Sequence, residues 1–581
     1  FDADDTRLTV RGKVEGPTAD FLKYIDNSPV AQSIEEATSD MRAEGRGTLD
    51  LALDIPLSHA EDAGIRGEYR FIDNKVFLDP VLPPMTQVNG LLNFTESEIT
   101  VREISGQFLN GPVKVKAETR GGRVEVVANG TLSVAQARKT YDLPLFNGLA
   151  GSTQWRAEVK AKRRSAEVLV DSNLVGISSS LPVPFNKPAT EAMSLRFDKL
   201  FTGGEPGARG PKGDARDRTS ISIGKIAQAQ LLRRREAGGK VLAPERGAIA
   251  IGVQLALPER GIVATINVPR FDGDYWRTAL VPPNGNAQST SSGQLAAFIP
   301  DRVELRTAQL DIFGRSLHDV EVKATNPSQV WQVRLAAKEA NGDLSFDPFG
   351  RGALRARLRN LNLEAPPGEP AAQGPDVLEE LPALDVVADN FSLGAKKMGR
   401  LEVQARNEAA NWRIEKLVMS NPDGKLEGSG TWRMQAPRQF SLDFNLEATD
   451  VGGLLDRLGF AGAVKRGTAT LGGKLSWAGV PVRIDYPSLS GELRVEASRG
   501  QFAKLDPGAG KLLGLMSLQS LPRRITLDFR DVFSDGFAFD SIASKLEVRG
   551  GVMRTDRLQI DGPSARVLMK GEVDLEHETQ K

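Results

Sequence analysis

The only imidazoles in this 581-residue chain are His59, His318 and His577, far apart and each among polar neighbours. An imidazole that moves a proton or holds a metal needs partners at motif spacing, so these read as solvated strand-end or loop residues. Cysteine is absent, which removes thiol nucleophiles, Cys-ligated zinc and disulfides. None of the Gly-Lys pairs is followed by Ser or Thr, so there is no phosphate-cradling P-loop, and neither G-x-S-x-G nor H-E-x-x-H occurs. Carboxylates are plentiful. Each alternates with apolar residues and usually stands beside Lys or Arg, the composition of a wet strand face and not of an acid/base pair. No catalytic, cofactor-binding or metal-binding residue is assigned.

The basic runs Arg163-Arg164 and Arg233-Arg234-Arg235 could touch phosphate or lipid head groups, but their first reading is solvated surface. Lys plus Arg and Asp plus Glu both total 75, and aromatic residues do not interleave the basic runs, so nucleic acid is not an expected partner. No stretch reaches the roughly 18 uncharged apolar residues of a membrane span, and Phe1-Asp2-Ala3-Asp4-Asp5 is not a signal peptide. The chain is therefore expected to be soluble, or anchored by sequence outside it.

What must position any function is a strand pattern that runs from end to end. Apolar and charged residues alternate with period two, the mark of strands with one dry and one wet face. Val113, Val115 and Ala117 alternate with Lys114, Lys116 and Glu118; Trp155, Ala157, Val159 and Ala161 alternate with Arg156, Glu158, Lys160 and Lys162. The scheme recurs at Leu354, Ala356 and Leu358, at Leu442, Phe444 and Leu446, and at Ile525, Leu527 and Phe529. The 58 glycines supply the turns that many short strands require.

Helices are expected only at Ala19 to Ile25, Ala31 to Met41, Val451 to Leu458 and Ala509 to Leu518. Gly, Pro and Ser accumulate without periodicity at Thr202 to Arg218, Pro282 to Gln294 and Glu364 to Leu381, which read as insertions or linkers. A weak repeat of three strands is visible at Leu91 to Thr119, Leu401 to Trp432 and Leu546 to Leu575, and tandem meanders of this kind extend a sheet indefinitely. Three regions of one continuous sheet are expected: meanders with short helices near the start over 1–200, a loop-rich β region over 201–380, and carboxyl-terminal β repeats over 381–581.

Several passages resemble the YhdP branch of the AsmA-like family, large envelope proteins of Gram-negative bacteria. Gly176 to Pro188 contains Leu181-Pro182-Val183-Pro184-Phe185-Asn186-Lys187, similar to the family's Leu-Pro-x-Pro-(Leu/Phe)-x-Lys turn. Leu513 to Arg524 is similar to its helix-to-strand junction, continued by Leu527 to Phe533 and Gly536 to Ile542. The resemblance implies an all-β fold: an elongated, folded-over, taco-like and mostly antiparallel sheet with an apolar groove and a few short helices. It further implies a periplasmic scaffold, held in the inner membrane by a helix outside this chain, that carries phospholipid between inner and outer membranes and supports the outer-membrane permeability barrier. On that reading the carboxyl-terminal repeats over 381–581 are AsmA-like, and the chain is a fragment of a longer protein, has no cofactor, and reaches both membranes through segments outside it.

The groove candidates are the dry-face residues Val113, Val115, Trp155, Val159, Leu354, Leu358, Leu442, Phe444, Leu446, Ile525, Leu527 and Phe529. Alternation defines the face but leaves open whether it meets acyl chains or packed protein. The alternative is a non-catalytic structural or adhesive envelope protein of closed β-sandwich modules, whose dry faces would pair across a core. A glycan-active enzyme on a β-helix would need clustered carboxylates that the sequence does not show.

Overall fold

The computed structural model describes residues 7–26, 42–56, 64–77, 83–95, 97–140, 144–162, 165–202, 216–235, 242–279, 300–348, 351–363, 381–481, 484–502, 537–563, 565–577 and 579–580. Within them the chain is all-β and mostly antiparallel, and it divides into two compact units, Phe1–Ile312 and Phe313–Lys581. In the first unit each strand from Arg7–Pro17 onward pairs with the next in sequence, except that Ile177–Ser179 leaves the run to pair with the start of Leu149–Lys162. Ser165–Ser172 therefore pairs directly with Leu195–Thr202. The second unit is a similar run from Arg315–Thr325 to Thr579–Gln580. No pairing among the described residues joins a unit's first strand to its last, so each sheet is open.

Three joins are parallel: Leu242–Ile251 with Gly261–Asp272, Gly261–Asp272 with Arg302–Ile312, and Ala353–Leu363 with Ala383–Leu393. A parallel partner requires the chain to return the length of a strand before pairing, whereas an antiparallel one needs only a tight turn. Two of the Gly/Pro-rich stretches, 282–294 and 364–381, lie in the connections between parallel strands. Residues 282–294 and 364–380 themselves lie outside the described residues. The third is shorter than expected, because Thr202 ends one strand and Arg216–Ile223 forms the next.

The three repeats are three-stranded meanders, each with a register shift in its middle strand. The shift falls at Val101-Arg102-Glu103-Ile104, Ile414-Glu415-Lys416-Leu417 and Thr555-Asp556-Arg557-Leu558. In each, two charged residues between the flanking positions are skipped, so both flanks stay on the dry face. A bulge of this kind bends its strand and deepens local twist.

Among the described residues there are four α-helices: Thr18–Asp26, Val134–Thr140, Gly273–Ala279 and Val451–Arg457. The first and last were legible from their periodicity; the other two, of seven residues each, are too short for it. The expected helices at Ala31 to Met41 and Ala509 to Leu518 lie outside the described residues. Thr18–Asp26 is tied to the sheet by Phe21, whose ring stacks on Tyr69 at 3.9 Å, and by the Tyr69 hydroxyl, which donates to Thr18 Oγ1 at 2.7 Å. Asn74 completes this buried polar set by donating from Nδ2 to the Arg46 carbonyl at 2.7 Å. Val451–Arg457 starts at Asp450, whose carboxylate accepts from the Gly453 N–H at 3.1 Å, and it buries Leu454 and Leu455.

In the first unit all three helices follow strands that end at the same rim of the sheet, as the register from Pro17 through Ser133 to Asp272 requires. The family-like turn lies at that rim too. Its Leu181 is buried, Phe185 meets Trp276 of Gly273–Ala279 edge-on at 5.8 Å, and Lys187 is buried with Nζ donating to the Leu174 carbonyl at 3.0 Å and to that of Ile177. The opposite rim carries no helix among the described residues.

Candidate functional site: the apolar faces

Strand register turns the alternation into transverse apolar rows. In the first unit, Ile104, Val115, Ala128, Ala157, Val170, Phe197, Ile221, Ala229, Ile249, Ala264 and Val303 are successive cross-strand partners on one face. Val113 lies in the adjacent row with Gly130 and Trp155, and Val159 in the row on the other side with Val126 and Ala117. The four candidates of this unit thus share a face.

The second unit has three such rows. Leu344, Ala356, Val386, Val403, Leu417, Gly428, Phe444, Gly473 and Leu493 form one. Leu354 and Leu442 belong to the row beside it, through Leu384, Ala405, Ile414 and Gly430. Leu358 and Leu446 belong to the third, through Ala388, Leu401, Met419 and Leu426. Candidates more than eighty positions apart in sequence are brought onto neighbouring tracks. Ile525, Leu527, Phe529 and the junction at Leu513 to Arg524 lie outside the described residues.

Exposure along single strands shows how these faces are closed. On Gln439–Ala448, Phe440 and Ala448 at the two ends are buried, while Leu442, Phe444 and Leu446 between them are half-buried. The Phe440 end is sealed by a row of tryptophans. Trp412, Trp432 and Trp477 are buried, and their indole N–H groups donate to the carbonyls of Pro382 at 2.9 Å, Gly479 at 2.8 Å and Val480 at 3.1 Å. Each bond satisfies a polar atom that would otherwise be costly to bury. The Ala448 end is covered by Val451–Arg457, anchored by Arg457 Nε on Asp423 at 2.8 Å. In the first unit Thr153 is buried at the helix-bearing rim, and Trp155, Ala157, Val159 and Ala161 are half-buried toward the other.

Glycines on these faces sit opposite rings. A Cβ on Gly130 would come within 2.6 Å of the Trp155 ring, and one on Gly430 within 2.8 Å of the Phe440 ring. The aromatic side chain occupies the space the glycine leaves, which keeps the floor apolar there. Hydrophobicity alone misses such positions, because glycine at Gly424, Gly428 and Gly430 interrupts the pattern.

The outer faces carry ion-pair ladders such as Lys114 to Glu103 at 3.0 Å and Lys416 to Glu402 at 2.6 Å. Hydrogen bonds from Lys416 and then Arg400 hold the Glu402 carboxyl below its ordinary range. Exposed pairs of this kind add little stability but keep the wet face soluble. His318 Nδ1 lies 2.7 Å from Glu339 Oε1, and His577 Nδ1 lies 3.1 Å from Asp574 Oδ2, so both histidines have carboxylate partners. Among the described residues no three His, Asp or Glu side chains converge as a metal site.

One basic run departs from its expected setting. Arg233 is only partly exposed: strand parity puts it on the apolar face, where Nε donates to Asp217 Oδ1 at 2.9 Å and Nη2 donates to Oδ2. The Asp217 side chain is 1% exposed and that of Arg233 30%. The same pair corrects the expectation that carboxylates line only the wet face. Period-two reasoning missed it because Lys199 and Asp217 break the alternation in short strands.

Open, mostly antiparallel sheets with one apolar face define an all-β scaffold. The chain matches the YhdP protein family over residues 1–581 and belongs to it. It is 24% identical over 597 residues to the intermembrane phospholipid transporter YhdP of Escherichia coli strain K12, an alignment covering 99% of this chain and 45% of that protein. The chain therefore spans less than half the length of this relative. No solved structure matches it. Among the described residues no helix is long and apolar enough to cross a membrane.

Proposed function

We propose that this chain is a stretch of a bridge-like periplasmic scaffold that carries phospholipid between the inner and outer membranes and thereby supports the outer-membrane permeability barrier. Acyl chains lie on the apolar rows, with Val113, Val115, Trp155, Val159, Leu354, Leu358, Leu442, Phe444 and Leu446 as lining residues; head groups stay toward water. Ile525, Leu527 and Phe529 are offered on sequence alone. Work of this kind requires no bond-making residue, so the chain acts without catalysis, and contact with both membranes falls to segments outside it.

The observation that carries this reading is the half-burial of Leu442, Phe444 and Leu446 between buried neighbours at both ends of one strand face. An apolar surface left partly open over many strands costs hydration free energy unless something apolar lies on it. The name of the Escherichia coli relative points to phospholipid as that occupant. Native mass spectrometry and organic extraction of the purified protein test the reading. Phospholipid is expected to co-purify, and lipid-free protein from a phospholipid-rich membrane background would overturn it.

A further inference from the structure

Between the strands Gly111–Arg120 and Leu242–Ile251 of the first unit, strand parity puts charged residues on the apolar face at four register positions: Lys199, Asp217, Arg233 and Arg235. They are grouped at one place. Arg233 and Asp217 are cross-strand partners and Asp217 is the partner of Phe201, while Lys199 faces Thr219, two positions inward from Asp217. This place is the rim opposite the one that carries the three helices and the Leu181 to Lys187 turn. Toward the helix-bearing rim the same strands end in Leu195, Ile223, Ala227 and Ile251.

A buried ion pair is a poor way to stabilise a sheet, because desolvation offsets its attraction and an apolar pair of similar size does as well or better. Its position at the rim that carries no helix among the described residues gives it a different use. Along its strand the stretch from Arg233 back to Ala227 covers about 20 Å at roughly 3.4 Å per residue. One leaflet's acyl layer is about 15 Å deep, half of the hydrocarbon thickness of a bilayer. An acyl chain can therefore lie across this face with its head group at the charged rim and its methyl end against the capped one.

We propose that Arg233, held by Asp217 and accompanied by Lys199, is a phosphate contact for phospholipid head groups and gives lipids in the first unit a fixed transverse orientation. The inference rests on the lipid-track reading above. Bidentate pairing to Asp217 uses Nε and Nη2 of Arg233 and fixes the plane of the guanidinium, so its Nη1 edge is presented without a rotamer search. The Asp217 carboxylate offsets the charge of Arg233 when no lipid is bound, which weakens the hold on phosphate and suits a site that lipids must also leave.

The test uses the full chain loaded from phosphatidylethanolamine and phosphatidylglycerol vesicles containing a photoreactive phospholipid, labelled either on the head group or at the acyl terminus. Peptide mapping after irradiation should find the head-group probe on the segments around Phe201 and Arg233, and the acyl probe on those around Ala227 and Ile251. In the variant D217L/R233L, which keeps the rim packed and apolar, head-group labelling there should fall about tenfold, the scale of a lost charge-assisted hydrogen bond, with acyl labelling kept. R233K, which keeps the charge, should retain the bias. Acyl labelling of the face without rim preference for the head-group probe, or a preference that D217L/R233L leaves intact, overturns the orientation and spares the track. No labelling of the face by either probe overturns both.

Discussion

The two units solve the same problem in different ways. Each has one dry face that must not be left open along both rims. The first gathers its three helices at a single rim and leaves an ion pair at the other. The second closes one end of its rows with Trp412, Trp432 and Trp477 and covers part of the other with Val451–Arg457. The lesson is that alternation of apolar residues does not distinguish core from surface. Phe440 and Phe444 occupy the same face of one strand, four residues apart, yet the first is sealed and the second half-buried.

The largest effect should come from the sealed end of the second unit. Trp432→Ala removes a side chain with 0% exposure and is expected to cost about 3 to 5 kcal/mol in urea unfolding. Phe444→Asp, on the same face, should cost only about 1 kcal/mol, because the ring is already partly exposed. It should nevertheless strip co-purifying phospholipid by placing a carboxylate in the acyl path. Unfolding of both variants to the same extent would show that the middle rows are core and would erase the contrast between ends and centre.

A smaller effect is expected at the charged rim of the first unit. Asp217→Ala leaves Arg233 on an apolar face without its carboxylate, at a cost of about 2 kcal/mol, below the roughly 3 to 5 kcal/mol of a fully buried broken pair because the arginine is partly exposed. D217L/R233L should regain most of that loss in the same thermal melts. A double variant as unstable as the single one would mean that the pair is a structural clamp, and the difference between the rims would lose its meaning.

The smallest effect lies on the wet face of the second unit, where hydrogen bonds from Arg357, and after burial is overcome also from Arg355, hold the Asp385 carboxyl below its ordinary range. Its folded value is depressed, so its contribution is present above the unfolded value of about 3.9 and is lost as pH falls through the lower folded value. Stability should therefore decline in acid below about pH 4, and R355Q/R357Q should flatten that decline in unfolding curves measured across pH. An unchanged slope would exclude this triad as a source of the acid sensitivity.

The sequence by itself determined the strand faces. A period of two is a local property, and Val113, Trp155, Leu354, Leu442 and Phe444 could be placed on dry faces because side-chain direction follows backbone parity alone. The resemblance at Leu181 to Lys187 likewise needed only neighbouring residues. Tertiary structure decided what local parity cannot contain. Which strand lies beside which set the three parallel joins. Register placed glycines beneath rings at Gly130 and Gly430, and brought Arg233 opposite Asp217 although sixteen residues separate them. Whether a dry residue is sealed depended on elements distant in sequence, such as the loop carbonyl at Gly479 that receives the Trp432 indole. Burial is a property of everything packed around a side chain, and a strand's own residues specify only the direction in which it points.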